Sequence, residues 1–175
     1  VAPCVLWIDE MEKGFATGGG DDNDGGTSRR LLASFLTWLQ EKPPGVFVVG
    51  TANDIFAMPP ELMRKGRFDE IFFVDLPNPS ERDEIFRIQL ALRNQDAASY
   101  DLPGLIEHSE GFSGSEIEQA VIASLYRALH EGRPPGTELI LSELQGTVPL
   151  SVARRENLLR LRAEAEGRFV PAGGS

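Results

Sequence analysis

A parallel α/β sheet followed by a small helical domain is the architecture this sequence predicts, and three observations carry the prediction. Three short apolar runs, "VLWI", "VFVV" and "IFFV", are separated by helical or turn-rich stretches, the pattern of strands in a parallel sheet. The first ends directly on Asp9 and Glu10, the second four residues before Asn53 and Asp54; in open α/β sheets ligands collect beyond the carboxyl ends of strands. The prolines of "LPNPSER" then forbid a regular element, and the chain beyond them reads as helix.

The totals bound the answer. With 175 residues, 41% hydrophobic and 25% charged, the chain suits one domain or a domain plus a small appendage. Its formal net charge of -10 argues against a sequence-independent grip on phosphate backbones, so nucleic acid ranks low among partners. Cys4, the only cysteine, allows no intrachain disulfide and reads as a small buried hydrophobe in an apolar run. No apolar stretch has the length of a membrane span, and the first residues lack the pattern of a signal peptide. The chain opens on Val1, within a few residues of a predicted strand, which reads as a piece of a longer protein.

In order along the chain, "VLWIDEMEKG" (residues 5–14) is a strand ending on two carboxylates. The low-complexity run "TGGGDDNDGGT" (17–27) predicts a mobile loop. Leu31, Leu32, Phe35, Leu36 and Leu39 then fall at helical spacing, with Ser28 able to cap the start and Pro43 and Pro44 closing the end. "GVFVVGTAND" (45–54) repeats the first strand's pattern, and "EIFFVDLPNPS" (70–80) supplies a third run of strand-favouring residues. Ser80 with Asp83 resembles a capped start for a helix over 80–94. Further helices are expected around 102–109, over 113–131 and over 151–166. Ser113 and Glu116 form a Ser-x-x-Glu capping box, with Ile117, Val121, Leu125 and Leu129 on one face behind it. The tail "PAGGS" shows no pattern. The expected domains are 1–77 for the α/β part, 80–150 for the helical lid, and 151–175 for a final helix and tail.

Four stretches together resemble the AAA ATPases. "VLWIDE" is similar to a Walker B strand and "VVGTAND" to the strand bearing the first sensor. "PPELMRKGRFDEIFFVDLP" is similar to the second region of homology with its two arginines, and "GFSGSEIEQAV" to the start of the lid helix. They occur in the family's order over residues 5–129, and the run most resembles the uncharacterised AAA ATPase group of cyanobacteria and algal plastids. The resemblance implies a P-loop NTPase sheet, truncated here, with a lid.

It also implies ATP and Mg²⁺ as cofactors, a homo-oligomeric ring (a hexamer) and an unidentified protein client, with the protein in the cytoplasm or, in an alga, the plastid stroma. Phosphoryl transfer requires positioning and charge neutralisation. Asp9 suits the magnesium carboxylate, bound mostly through water, and Glu10 the base that polarises the attacking water. An Asn53 amide at the neighbouring tip can donate to a phosphate oxygen and orient that water; its plain alternative is a turn-forming Asn beside Asp54. Arg64 and Arg67 fit surface cations paired with Asp69 and Glu70; the resemblance implies arginine fingers reaching the adjacent subunit's γ-phosphate. Lys65 between them reads as solvated. At the lid, Gly111, Gly114 and Ser115 are the implied nucleotide contacts, where absent side chains let backbone approach the adenine. Ser115 and Glu116 stand where many relatives carry a sensor arginine, which places the sequence with the AAA subclass that lacks it. His108 and His130 have no cluster of metal ligands around them.

No Gly-x-x-x-x-Gly-Lys-Ser/Thr loop occurs in the chain. In the family that loop precedes the Walker B strand, and the strand leading into it lies between the Asn53 strand and the one after Arg67. A sheet without it should leave unpaired edges and exposed apolar side chains, and the fragment alone should not hydrolyse ATP. Two functions compete: ATP hydrolysis in a ring that remodels or regulates a protein partner, and a non-catalytic interaction or assembly module.

Overall fold

A computed structural model of the chain describes residues 2–15, 24–64 and 66–173. The loop expectation over 17–23, the Lys65 reading and the last two residues of the tail lie outside the described residues. The chain divides into two compact units, Val1–Ile71 and Phe72–Ser175.

In the first unit, β1 (Cys4–Ile8), α1 (Met11–Phe15), α2 (Asp24–Glu41) and β2 (Val46–Gly50) follow one another. The two strands pair in parallel, from Cys4 opposite Val46 to Ile8 opposite Gly50. This is the α/β pattern the sequence predicts, with the exposed apolar side chains expected of a sheet that lacks a strand; the correction concerns Cys4, read from the sequence as buried. Val5, Trp7 and Phe47 are 67%, 62% and 64% exposed, and Cys4 is exposed as well. The cause is that this sheet has two strands among the described residues, so most strand side chains have no neighbour to pack on. The core of the unit comes instead from α1, α2 and the segment after β2, through Met11, Phe15, Leu32, Met58 and Leu62, with Ile8 packed against it from β1. Phe15 stacks on Phe35 at 5.0 Å between ring centroids, and Phe35 on Trp38 at 5.8 Å.

Helix α2 begins at Asp24 and so takes in the last residues of the predicted loop. Ser28 lies inside the helix and is not its cap. Packing of the leucine face carries the helix back through Gly25 and Gly26 against their intrinsic cost.

The third apolar run behaves differently from expectation. Only Phe72–Phe73 is strand, β3, and it pairs in parallel with β4 (Val170–Pro171) inside the second unit, not with β1 or β2. The NH of Ala172 donates to the Phe73 carbonyl at 2.9 Å, so the tail that shows no sequence pattern closes a two-stranded ribbon. Short strands of two residues are below what periodicity can detect.

The rest of the second unit is helical: α3 (Pro79–Ala91), α4 (Leu102–His108), α5 (Gly114–Glu131), α6 (Thr137–Gly146), α7 (Leu150–Ala153) and α8 (Arg155–Ala165). The cap of α3 is Asn78, not Ser80. Its Oδ1 accepts from the Glu81 NH at 3.0 Å while Glu81 Oε2 accepts from the Asn78 NH at 2.8 Å, with Pro79 in the first turn, a capping box two residues earlier than predicted. Helix α6 is unexpected from the sequence; its preceding Gly136 provides no side-chain cap. The predicted helix over 151–166 is two, broken at Arg154.

Phe86, Leu90, Leu105, Ile117, Val121 and Leu144 build the core of this unit. On α5 the buried residues are Ile117, Ala120, Val121, Ser124 and Ala128, whereas Leu129 is 79% exposed. A row spaced by four drifts round a helix, and twelve residues past Ile117 it is about 120° away. Arg82, only 6% exposed, donates to the Pro77 carbonyl at 2.9 Å and to the Ile106 carbonyl at 3.1 and 3.3 Å. It pins the first turn of α3 to α4, a role no sequence pattern indicates.

Candidate functional site at the strand tips

The parallel ladder ends where Ile8 faces Gly50, and the chain then laces the two tips together. The Thr51 NH donates to the Ile8 carbonyl at 3.0 Å and the Met11 NH to the Thr51 carbonyl at 2.9 Å. The Thr51 hydroxyl bridges both carboxylate residues: it accepts from the Glu10 NH at 3.0 Å and donates to Asp9 Oδ1 at 2.5 Å. Asn53 Nδ2 donates to Glu10 Oε1 at 2.9 Å, and Lys13 Nζ donates to Glu10 Oε2 at 2.6 Å. Asp9, Glu10 and Asn53, proposed from sequence as partners, therefore share one cluster in the first unit.

Two backbone features make this geometry possible. Glu10 has φ of 50°, a left-handed conformation uncommon for a residue with a side chain and of the kind that collects at functional sites. It turns the chain from β1 into α1 within two residues. Gly50 has no Cβ to run into Met11 Sδ, so α1 can lie directly against the end of β2.

The electrostatics follow from the contacts. The hydrogen bond and charge of Glu10 raise the Lys13 ammonium above its ordinary range. Asp9 is exposed and its Oδ1 is occupied by Thr51. Among the described residues no three His, Cys, Asp or Glu side chains converge as a cation cage. One carboxylate at a tip still fits magnesium, which keeps several waters and binds through one or two carboxylates plus substrate phosphates. Thr51, Lys13 and Glu12 belong to this cluster and went unread in the sequence. A hydroxyl three residues before the strand-tip Asp was the available signal for Thr51.

Arg64 and Arg67 lie in the turn-rich segment after β2. The guanidinium of Arg64 is exposed and has no partner among the described residues. Arg67 is half-buried and donates through Nη1 to the Leu36 carbonyl on α2 at 3.4 Å. Neither pairs with Asp69 or Glu70 among the described residues, so the surface ion pairs that their sequence allows do not form.

Gly111, Gly114 and Ser115 gather at the turn into α5 in the second unit. Gly111 has φ of 80°, and a Cβ there would meet Ser151 Oγ at 2.7 Å, so its side is closed by α7. Ser113 caps α5 as predicted, with Glu116 Oε2 accepting from the Ser113 NH at 2.8 Å and from its hydroxyl at 2.7 Å. Glu116 Oε1 accepts from the Leu150 NH at 2.8 Å, which ties α7 to the same turn. Burial pushes the Glu116 carboxyl up, but the bonds from Ser113 and Leu150 outweigh it and hold the group below the usual carboxylate range.

Comparison with known proteins bears on the family and the fold. Residues 1–76 match the ATPase family associated with various cellular activities (AAA). The chain is 45% identical over 162 residues to the uncharacterized AAA domain-containing protein ycf46 of Guillardia theta, covering 92% of this chain and 32% of that protein. To the protein of the same name in Pyropia yezoensis it is 47% identical over 170 residues, covering 96% and 34%. It is also 31% identical over 177 residues to the ATP-dependent zinc metalloprotease FtsH of Thermus thermophilus, 98% of this chain and 28% of that one. Among solved structures, the FIGL-1 AAA domain in complex with ADP superposes with a TM-score of 0.74 at 19% identity, over 95% of this chain and 58% of that one. The chain thus spans about a third of the length of the ycf46 relatives. With the family match on the unit that holds the laced strand tips, and relatives of this name along nearly its whole length, the chain belongs to the AAA family, close to the ycf46 group.

Proposed function

We propose that the protein containing this chain binds ATP with Mg²⁺ and hydrolyses it as a ring-forming AAA ATPase, a hexamer that remodels or regulates a protein partner. The observation that carries the proposal is the cluster of Asp9, Glu10, Thr51 and Asn53. A carboxylate oriented by a hydroxyl stands beside a second carboxylate held by an amide. Asp9 would hold the metal, which when bound neutralises phosphate charge. Glu10 takes the proton of the attacking water, a role worth about 10²- to 10⁴-fold. Asn53 fixes the Glu10 carboxylate and orients the water. A relative that is ATP-dependent and a fold neighbour solved with ADP support nucleotide as the ligand. Gly111, Gly114 and Ser115 are the proposed nucleotide contacts of the second unit, with residues 1–77 as the core domain, 80–150 as the lid and 151–175 as its final helix and tail. The cytoplasm, or the plastid stroma in an alga, is the proposed compartment.

Of the two arginines, Arg64 is the better candidate to reach a neighbouring subunit, because Arg67 is engaged with its own α2. The experiment uses the full-length protein. Glu10→Gln should keep ATP binding and stop turnover, and Arg64→Ala should slow turnover with its own nucleotide affinity nearly intact. Mixing the two variants should recover part of the activity, since some interfaces then join an intact Glu10 to an intact Arg64. Normal hydrolysis by Glu10→Gln would sink the catalytic reading and leave the assembly module; co-assembled rings that never regain turnover would sink the shared site.

A further inference from the structure

Glu12 stands two residues beyond Glu10, on α1, and is 6% exposed. A carboxylate at that depth is costly unless its oxygens are satisfied. Among the described residues Glu12 makes one hydrogen bond: Oε1 accepts from the backbone NH of Asn53 at 3.2 Å. Its other oxygen, Oε2, is buried without a hydrogen-bond partner among the described residues. A chain that tolerates this in a core otherwise made of Met11, Phe15 and their neighbours has a use for the single bond that is made.

That use is visible at the other end of it. The ladder between the strands stops at Gly50, three residues short of Asn53, so the Asn53 NH has left the sheet and needs another acceptor. Glu12 provides it from a helix anchored on both sides by core residues, Met11 and Phe15. With its backbone held, Asn53 directs Nδ2 onto Glu10 Oε1 at 2.9 Å. The order of contacts runs from α1 through Glu12 to Asn53 and back to Glu10, a closed loop of side chains across both tips.

We propose that Glu12 is a positioning residue which acts through Asn53: its carboxylate oxygen fixes the Asn53 backbone so that the amide is aimed at Glu10 and at the water Glu10 activates. The assignment rests on the proposed function, and it differs from the role of Glu10 in one chemical respect. Glu10 needs a basic oxygen, whereas Glu12 needs only an acceptor. A glutamine supplies an acceptor at the same length and removes the buried charge.

The test uses the full-length protein with Glu12→Gln, Glu12→Leu, Asn53→Ala, Glu10→Gln and the pair Glu12→Leu with Asn53→Ala. Glu12→Gln should keep turnover within about threefold of the parent, while Glu12→Leu should lose roughly 10- to 100-fold in kcat, the scale of a misplaced catalytic group. KM for ATP should hardly change in either. On the Asn53→Ala background, Glu12→Leu should cost nothing further, because the two act as one unit. Independently of hydrolysis, hydrogen exchange in nucleotide-free protein should show the Asn53 amide protected in the parent and in Glu12→Gln, and unprotected in Glu12→Leu. The proposal is overturned if Glu12→Gln falls as far as Glu12→Leu, if the leucine loss persists in full without Asn53, or if Asn53 stays equally protected. Should the leucine variant not fold, Glu12→Gln decides alone: near-parental turnover with a protected Asn53 amide supports the assignment, and a loss matching Glu10→Gln ends it. Active Glu10→Gln would instead refute the hydrolysis reading, with the exchange result still judging the Glu12 tie.

Discussion

The two units of the chain solve opposite problems. Residues 72–175 expose some apolar side chains, Leu92 and Leu129 among them, but pack a core in which Phe86, Leu90, Leu105, Ile117 and Val121 are fully buried, and α3 and α5 carry complete capping boxes. Residues 1–71 leave Val5, Trp7 and Phe47 in water and concentrate their hydrogen bonds at the strand tips, where Thr51, Asn53, Asp9 and Glu10 meet. The cluster proposed for catalysis thus lies in the first unit. A site of carboxylates needs solvent and substrate access, and a left-handed Glu10 and a half-satisfied buried Glu12 are tolerated there, while the second unit holds no comparable orphan among the described residues. Polar preorganisation weakens the part that carries it.

The largest expected effect tests that contrast directly. Both tryptophans, Trp7 and Trp38, lie in the first unit, so fluorescence reports on it, whereas far-UV circular dichroism is dominated by the helices of the second. On urea unfolding of this chain the fluorescence midpoint should come below the dichroism midpoint. Phe86→Ala should lower the dichroism transition by about 3–5 kcal/mol, as for other buried aromatic truncations, and leave the fluorescence transition nearly in place. Phe47→Ala, 64% exposed, should shift either by about 0.5 kcal/mol or less. Coincident midpoints in the parent chain would mean that one cooperative unit unfolds and that the contrast is false.

The same division explains what the sequence could reveal. Strands β1 and β2 and their carboxylate and amide tips were legible because a polarity switch at the end of an apolar run is a local signal. Helix α5 and its cap were legible because Ser113 and Glu116 stand at the spacing that the cap requires. From the residues alone the exposure of the strands was not, since the apolar run is the same whether a neighbouring strand covers it or not; it followed only from the strand that the family resemblance implies is missing. Nor was β3–β4, formed by two residues on each side across nearly a hundred positions. Glu12 was passed over because a carboxylate after Asp9 and Glu10 reads as one more solvated charge; only tertiary structure turns it inward. Asn78 was missed in favour of Ser80 because both are good caps, and the proline between them decides: Pro79 serves as the first helical residue, leaving Asn78 outside.

A middle-sized effect is expected at the turn into α5. Ser113→Ala removes the acceptor that satisfies the Glu116 NH and should cost about 0.5–2 kcal/mol, the range for lost caps. The pH dependence sharpens this. The Glu116 carboxyl is held below its ordinary value in the folded chain, so its contribution is present above the unfolded-state value and is lost as pH falls through the lower, folded one. Glu116→Gln should therefore be less stable than the parent at neutral pH, and the difference should shrink in acid below the ordinary carboxylate range. Dichroism-detected urea midpoints at several pH values measure it. A gap that stays constant into acid would show that the carboxylate's charge contributes nothing at this turn.

The smallest effect belongs to Lys13, and its direction separates a catalytic carboxylate from a structural one. Its ammonium sits on Glu10 Oε2 at 2.6 Å, but the lysine side chain is 68% exposed, and exposed pairs of this kind are screened by water and salt. Lys13→Met should leave the fluorescence midpoint of the first unit unchanged within error. The raised Lys13 value means that its contribution is complete below the ordinary lysine range and disappears only as pH climbs through the higher folded value, so assays near neutrality see the pair intact. Its removal in the full-length protein has a chemical consequence even so. On the proposed role of Glu10 as base, an ammonium on it competes for the oxygen that would take the proton from water, so taking it away should hold turnover level or raise it by roughly a few-fold, far less than the loss of the base itself. A tenfold loss with folding intact would mean that Lys13 orients Glu10 productively, and that the bond to Asn53 alone does not hold the carboxylate in place.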